Sequence, residues 1–156
     1  MTKKIFASTV LVAALVLVIS CCVIMSVLYA HFTQVEEDRL REELAIASNG
    51  VESCGGEWLR GLDIEDFRIT WIAHDGTVLY DSKTDPAAMG NHLYREEVQE
   101  ALASGTGESR RASETLAEKT LYCARLISDG TVLRISAAQS SVLALSMGML
   151  FPLCLI

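Results

Sequence analysis

Between positions 81 and 95 the chain gathers two carboxylates, an amide, an imidazole and a guanidinium: Asp81, Asp85, Asn91, His92 and Arg95. Such a mixture in one irregular stretch is suited to holding a polar ligand, because it supplies donors and acceptors of either charge. Tyr122 and Arg125 add a phenol and a second guanidinium on what reads as a strand. Their positions differ by an odd number, so a flat strand sends them to opposite faces and only one can reach the same cavity. A plainer reading competes with this one. Asp81 and Asp85 also suit turn caps, Asn91 and His92 a helix cap, and Arg95 an ion pair with an acid such as Glu96. Asp81, Asp85, Glu96 and Glu97 together would attract a hard divalent cation. No calcium-loop spacing is present, however, and a solvated acidic face accounts for the same residues, so no metal is assigned. No Ser/His/Asp order, paired catalytic carboxylates or phosphate-cradling glycine loop stands out, and no catalytic residue is assigned either.

The elements that must position these residues follow from periodicity. Phe67, Ile69, Trp71 and Ala73 alternate with Arg68, Thr70 and Ile72; His74-Asp75-Gly76 then supplies a turn into a second strand, Thr77 to Asp81. Ser82 to His92 is rich in turn formers and carries one of only two prolines, which marks an irregular excursion. Leu93 to Ala103 reads as a short helix with Val98, Ala101 and Leu102 inward, closed by Gly105 and Gly107. Three more strands follow over Glu108–Ser113, Thr120–Ile127 and Thr131–Ala138, the last two joined by a second Asp-Gly turn at Asp129-Gly130. The expected fold is α+β: a long N-terminal helix and a five-stranded antiparallel sheet, flanked by two transmembrane helices.

The membrane reading rests on two apolar runs. From Ile5 to Leu28 no residue is charged, and that many helical residues, at ~1.5 Å each, exceed the ~30 Å of bilayer hydrocarbon. A second run from Val142 reaches Ile156 slightly short of a full crossing and reads as a truncated second span. Lys3 and Lys4 precede the first run, whereas all 20 acidic residues and only 11 of the 13 basic ones lie between the two. The positive-inside rule then places residues 1–4 in the cytoplasm, 5–29 in the first span, 30–140 outside the cell and 141–156 in the second span. A cleaved signal peptide fits less well, since the apolar run is too long and Leu28 stands where cleavage after Ala30 wants a small residue. A lipoprotein signal at Val18-Ile19-Ser20-Cys21 is made unnecessary by seven further apolar residues. The acidic middle, in a chain of net charge −7, offers no basic stripe and argues against nucleic acid.

No Pro or Gly interrupts the passage out of the first run, so one helix is expected to continue outward as a stalk over residues 30–60. Phe32, Val35, Leu40, Leu44, Ala47 and Val51 form its apolar stripe, and Cys54-Gly55-Gly56 weakens or ends it before a last turn at Trp58 and Leu59. The part nearest the membrane, with Phe32, Val35 and Leu40, suits a parallel homodimer contact. Cys21, Cys22 and Cys154 fall in the apolar runs. Cys54 and Cys123 form the one external pair, open to a disulfide or to two free thiols.

Thr77 to Leu102, TVLYDSKTDPAAMGNHLYREEVQEAL, together with the closing SDGTVLRIS and the two-span layout, resembles the input region of phosphate-regulon-type sensor histidine kinases of Firmicutes. In those receptors a small PAS-like or single Cache-like domain lies outside the cell. The resemblance implies sensing of an unknown small-molecule or protein signal, relayed across the membrane to a kinase part that phosphorylates a cytoplasmic response regulator. ATP and Mg belong to that part alone, and no cofactor is expected in these residues. His31, His74 and His92 all fall outside the membrane and cannot serve as phosphoacceptor. The same input layout would also serve a diguanylate cyclase, a chemotaxis transducer or a stand-alone membrane-anchored binding protein.

Overall fold

The structure is a computed structural model that describes residues 2–62, 66–112 and 119–139. The chain divides into two compact units, one holding residues up to Val35 and the other beginning at Glu36. The second apolar run, expected as a span over 141–156, lies outside the described residues, as does Ser113 of the expected third strand.

Helix α1 runs unbroken over Thr2–Cys54. From Ile5 to Leu28 it is apolar on every side and its large side chains are exposed, Leu17 by 72% and Phe6 by 73%. By length and composition a helix of this kind can cross a membrane. Its few hydroxyls are satisfied within the helix. Thr9 Oγ1 donates to the Ile5 carbonyl at 3.0 Å and Ser26 Oγ to that of Cys22 at 2.8 Å.

In the second unit α1 turns amphipathic. Leu40, Leu44, Ala47 and Val51, spaced three or four apart, are buried together, while Ile46 on the other side is exposed. Phe32 and Val35, which continue the stripe in the sequence, remain exposed. Gly55, at φ 69°, takes a conformation other residues resist and ends the helix, as its sequence position implies. A single further turn, α2 (Gly56–Arg60), then drives Leu59 fully into the core.

The sheet comprises β1 (Arg68–Ile72), β2 (Val78–Asp81), β3 (Thr106–Ala112), β4 (Lys119–Leu126) and β5 (Val132–Gln139), in the order β2-β1-β5-β4-β3 with every pair antiparallel. Both hairpins turn by the same device. Gly76 and Gly130 each sit at φ 85°, and the aspartate before each accepts the backbone N–H two residues on, Thr77 at 2.9 Å and Thr131 at 2.9 Å. From β2 the chain crosses through a 3-10 turn at Pro86–Ala88 and helix α3 (Glu96–Ser104), which Gly105 closes in the left-handed conformation. The helix begins three residues later than its periodicity implies, because residues 91–95 are held in turns.

Alternation along the strands puts an apolar layer on each face. Ile69, Leu121, Cys123, Leu133 and Ile135 pack with α1 and α2; Ile72, Ala124 and Val132 pack with Val98 and Ala101 of α3. Helix α3 comes very close to β3, for a Cβ built on Gly107 would run into the backbone of Glu97 and Ala101. Ion pairs fasten α1 to the edge strand β3. Arg41 forks onto Glu108 at 2.6 and 2.9 Å, and Arg110 reaches Glu37 at 2.6 Å. The first of these pairings holds the Glu108 carboxyl below its ordinary range.

Candidate functional site

The α3 face of the sheet is only half apolar. Beside the Ile72–Val98–Val132 cluster lies a layer of buried polar side chains to which all five strands contribute. Asp81 (β2), Thr70 (β1), Arg134 and Ser136 (β5), Ser109 (β3) and Glu97 (α3) are all buried, and Arg68, Arg111 and Tyr122 close the layer at its rim.

The bonds run as a chain across the strands. Asp81 accepts Arg68 Nε at 2.9 and 3.0 Å, Thr70 Oγ1 at 2.8 Å, and the backbone N–H groups of Lys83 and Thr84. Burial alone would raise its carboxyl pKa, but these donors outweigh burial and hold it below the ordinary range. Thr70 Oγ1 in turn accepts Arg134 Nη2 at 3.1 Å, and Arg134 Nη1 donates to Glu97 at 3.3 Å. Glu97 also accepts Ser109 Oγ at 2.6 Å and Arg111 Nη2. The Tyr122 ring faces both guanidiniums, with Arg111 at 4.4 Å and Arg134 at 5.4 Å from its centroid. Burial pulls Arg134 down from the usual guanidinium range, with Glu97 acting against it.

Of the residues that the sequence marks as ligand candidates, the structure brings Asp81 and Tyr122 into this layer and buries His92 beside it. His92 is pushed down to about 4 by burial first, then by Arg134, Arg95 and Arg68. Asp85 is exposed and caps the 3-10 turn, accepting Ala87 N–H at 3.0 Å. Asn91 is exposed too and ties two turns together, donating to the Asp75 carbonyl at 2.7 Å and accepting Leu93 N–H at 2.8 Å. It is a turn residue here, and the N-cap of α3 is Arg95. Arg125 lies on the α1 face, opposite Tyr122, as their parity requires. Leu40 belongs to the core of its own domain rather than to an open stalk face.

The carboxylates weighed for a cation do not converge. Asp81 and Glu97 are engaged by arginines and Asp85 by a turn, and no group of three or more metal-ligating side chains occurs among the described residues. Cys54 and Cys123 are both free thiols. Cys54 is exposed, whereas Cys123 lies in the core, where burial pushes its thiol up to about 12.

Sequence reasoning missed Arg68, Thr70, Ser109, Arg111, Arg134 and Ser136, and took Glu97 for an acid of the surface. One signal was available. Arg134 interrupts the apolar run Val132-Leu133-Arg134-Ile135, and an arginine inside a central strand needs buried partners.

His92 makes a testable pH signature. Its folded pKa of about 4 lies below the ordinary 6.5, so between these values the unfolded chain takes up a proton that the folded chain excludes. Its contribution is therefore intact above 6.5 and is lost progressively as pH falls toward 4. The thermal midpoint of the full chain should fall across that window, and His92→Gln should flatten the fall. An equally steep decline in the variant would assign the effect to other groups.

No family model matches the chain, and no curated protein matches it. Among solved structures, the chain is similar to the extracellular domain of the inferred histidine kinase rpHK1S-Z16, at 18% identity and TM-score 0.41, covering 59% of this chain and 39% of that one. It is also similar to the Bacillus subtilis YkuI protein, with an EAL domain, in complex with c-di-GMP and calcium, at 15% identity and TM-score 0.41, covering 72% of this chain and 36% of that one.

Proposed function

We propose that the chain is the input region of a membrane receptor, in which residues 5–29 cross the bilayer, residues 30–140 form an external PAS-like or single Cache-like sensor domain, and residues 141–156 cross back. The finer reading is a two-component sensor histidine kinase, with the ATP and Mg chemistry in a kinase part outside these residues and a cytoplasmic response regulator as its recipient. The observation that supports it best is α1 itself. One helix without proline, and without glycine before Gly50, is apolar from Ile5 to Leu28 and then supplies Leu40, Leu44, Ala47 and Val51 to the core of the second unit. A shift of the sheet against that face would move the membrane segment with it, and the ~1–3 kcal/mol typical of coupling between sites is enough to bias an output. Phe32 and Val35, exposed on the single chain, are the contact we assign to a parallel homodimer.

The test is topological. In intact cells carrying the chain without Cys21, Cys22 and Cys154, a membrane-impermeant maleimide should label the exposed Cys54 and leave the buried Cys123 silent until denaturation. In the same cells Phe32→Cys should form an interchain disulfide and Leu40→Cys should not. Labelling of Cys54 only after permeabilisation would place the domain in the cytoplasm and end the receptor reading.

A further inference from the structure

Of the five methionines, Met89 alone lies between the two apolar runs. Its side chain is half-buried and its neighbours Ala87, Ala88 and Gly90 are exposed, so solvent reaches it. The backbone there is held: Met89 closes the 3-10 turn, its N–H donating to the Pro86 carbonyl at 3.0 Å.

The sulfur has a charged neighbour. Arg68 Nη2 donates toward Met89 Sδ at 3.7 Å and to Thr84 Oγ1 at 3.1 Å, while Nε of the same guanidinium grips Asp81. A thioether accepts a hydrogen bond only weakly, so the contact as it stands does little for the fold. Gap filling would bring a methionine to this position. It does not require a guanidinium donor on the sulfur.

We propose that Met89 is an oxidation site: hydrogen peroxide converts its thioether to the sulfoxide, and Arg68 Nη2 then holds the new oxygen. In the step a sulfur lone pair attacks one peroxide oxygen and the O–O bond breaks. The sulfur is oxidised by two electrons, the peroxide is reduced, and the proton left on the new S–O group passes to the departing hydroxide, giving water. The change is reversible, because sulfoxide reductases restore the thioether. The sulfoxide oxygen is a strong acceptor where the sulfur was a weak one, and methionine's unbranched chain lets it turn to Nη2. That nitrogen belongs to the guanidinium paired with Asp81, so the redox state of Met89 is felt in the buried polar layer. Met89 and Arg68 would act in this way whether or not the domain belongs to a receptor.

Hydrogen peroxide is the probe, applied to the full chain in lipid nanodiscs with Cys54→Ser removing the exposed thiol. Peptide mass analysis should find one added oxygen at Met89 while the chain is folded, and Met89→Leu should remove it. Chains with Arg68 and with Arg68→Lys, each reduced and oxidised, then form a double-mutant cycle. Lysine keeps a cation for Asp81 but cannot serve Asp81 and Met89 at once, as the planar fork does. Oxidation should raise the unfolding equilibrium constant about tenfold more with Arg68→Lys than with Arg68, the scale of one hydrogen bond to a charged group. Should Arg68→Lys not fold, the Nε resonance of Arg68 in isotope-labelled chain serves instead. It should move on oxidation and stay in place in peroxide-treated Met89→Leu. Met89 left unmodified until the chain unfolds, equal effects of oxidation across the cycle, or an unmoved Arg68 resonance would overturn the assignment.

Discussion

Replacing Glu97 with alanine should destabilise the α+β domain by about 3–5 kcal/mol, as removal of one partner from a buried ion pair does. Glu97 is fully buried and is the acid on which Arg134, Arg111 and Ser109 converge. Without it Arg134 keeps only Thr70 as a hydrogen-bond partner, and a guanidinium buried to 4% exposure is left without its counter-charge. The penalty arises chiefly from the charge left behind, because the intact pair stabilises little relative to an apolar replacement of both partners. Glu97→Gln retains an acceptor without charge and should fall between the two. Glu96→Ala, one residue earlier on the exposed side, should stay within about 0.5 kcal/mol. Denaturant unfolding of the full chain, followed by the fluorescence of Trp58 and Trp71, measures all three. A loss below ~1 kcal/mol for Glu97→Ala would mean that water reaches Arg134 and that the layer is not the dry network its burial implies.

A polar layer of this kind is a poor way to stabilise a small domain. Its occurrence across every strand, on the face where α3 and the irregular segment after β2 cover the sheet, makes it the candidate site considered above. Its link to the other face is direct. β5 carries Arg134 toward α3 and, on either side of it, Leu133 and Ile135 toward α1. A displacement of Arg134 therefore moves two residues on which α1 packs, and interiors at close-packed density transmit such a shift rather than absorb it. The Arg41–Glu108 and Arg110–Glu37 pairs add a second connection, since Ser109 and Arg111, their neighbours on β3, point to Glu97 from the opposite face.

What the sequence made legible was local. The Asp-Gly dipeptides at 75–76 and 129–130 set both hairpins, because the aspartate side chain and the glycine's left-handed φ are decided within four residues. The α1 stripe from Leu40 to Val51 and the break at Gly55 were equally visible. The pairing of β1 with β5, Arg68 against Ser136 through Ile72 against Val132, was not, for it joins residues sixty or more apart and no local preference encodes it. That pairing brings Thr70 to Arg134, and hence assembles the site. Asp81 could be picked out because an aspartate at a strand end attracts notice, whereas Arg134 and Glu97 acquire their meaning only from each other. Asp85 answered to the plainer alternative, a turn cap, whereas Asn91 ties two turns together instead of capping α3 and Arg95 sits at the N-cap position itself.

Leu44 and Ile46 provide the second large contrast, two residues apart on one helix. Leu44 is 5% exposed in the cluster formed with Leu121, Cys123, Leu133 and Ile135, and Ile46 is 59% exposed. Leu44→Ala should cost about 2–5 kcal/mol, the transfer of the lost methyl groups plus the cavity that the sheet and α1 only partly close. Ile46→Ala should stay within about 0.5 kcal/mol, with alanine's better helix propensity offsetting part of any lost contact. The same unfolding assay reads both. On the same proposed reading the pair also bears on signalling, because the Leu40–Val51 face is where α1 packs on the sheet. On the receptor reading proposed above, Leu44→Ala is expected to weaken the response to a signal even under conditions where the domain remains folded, and Ile46→Ala to leave it unchanged. Equal costs for the two substitutions would mean that α1 does not dock through the Leu40–Val51 stripe, and the route from sheet to helix would then have to be sought in the ion pairs at β3.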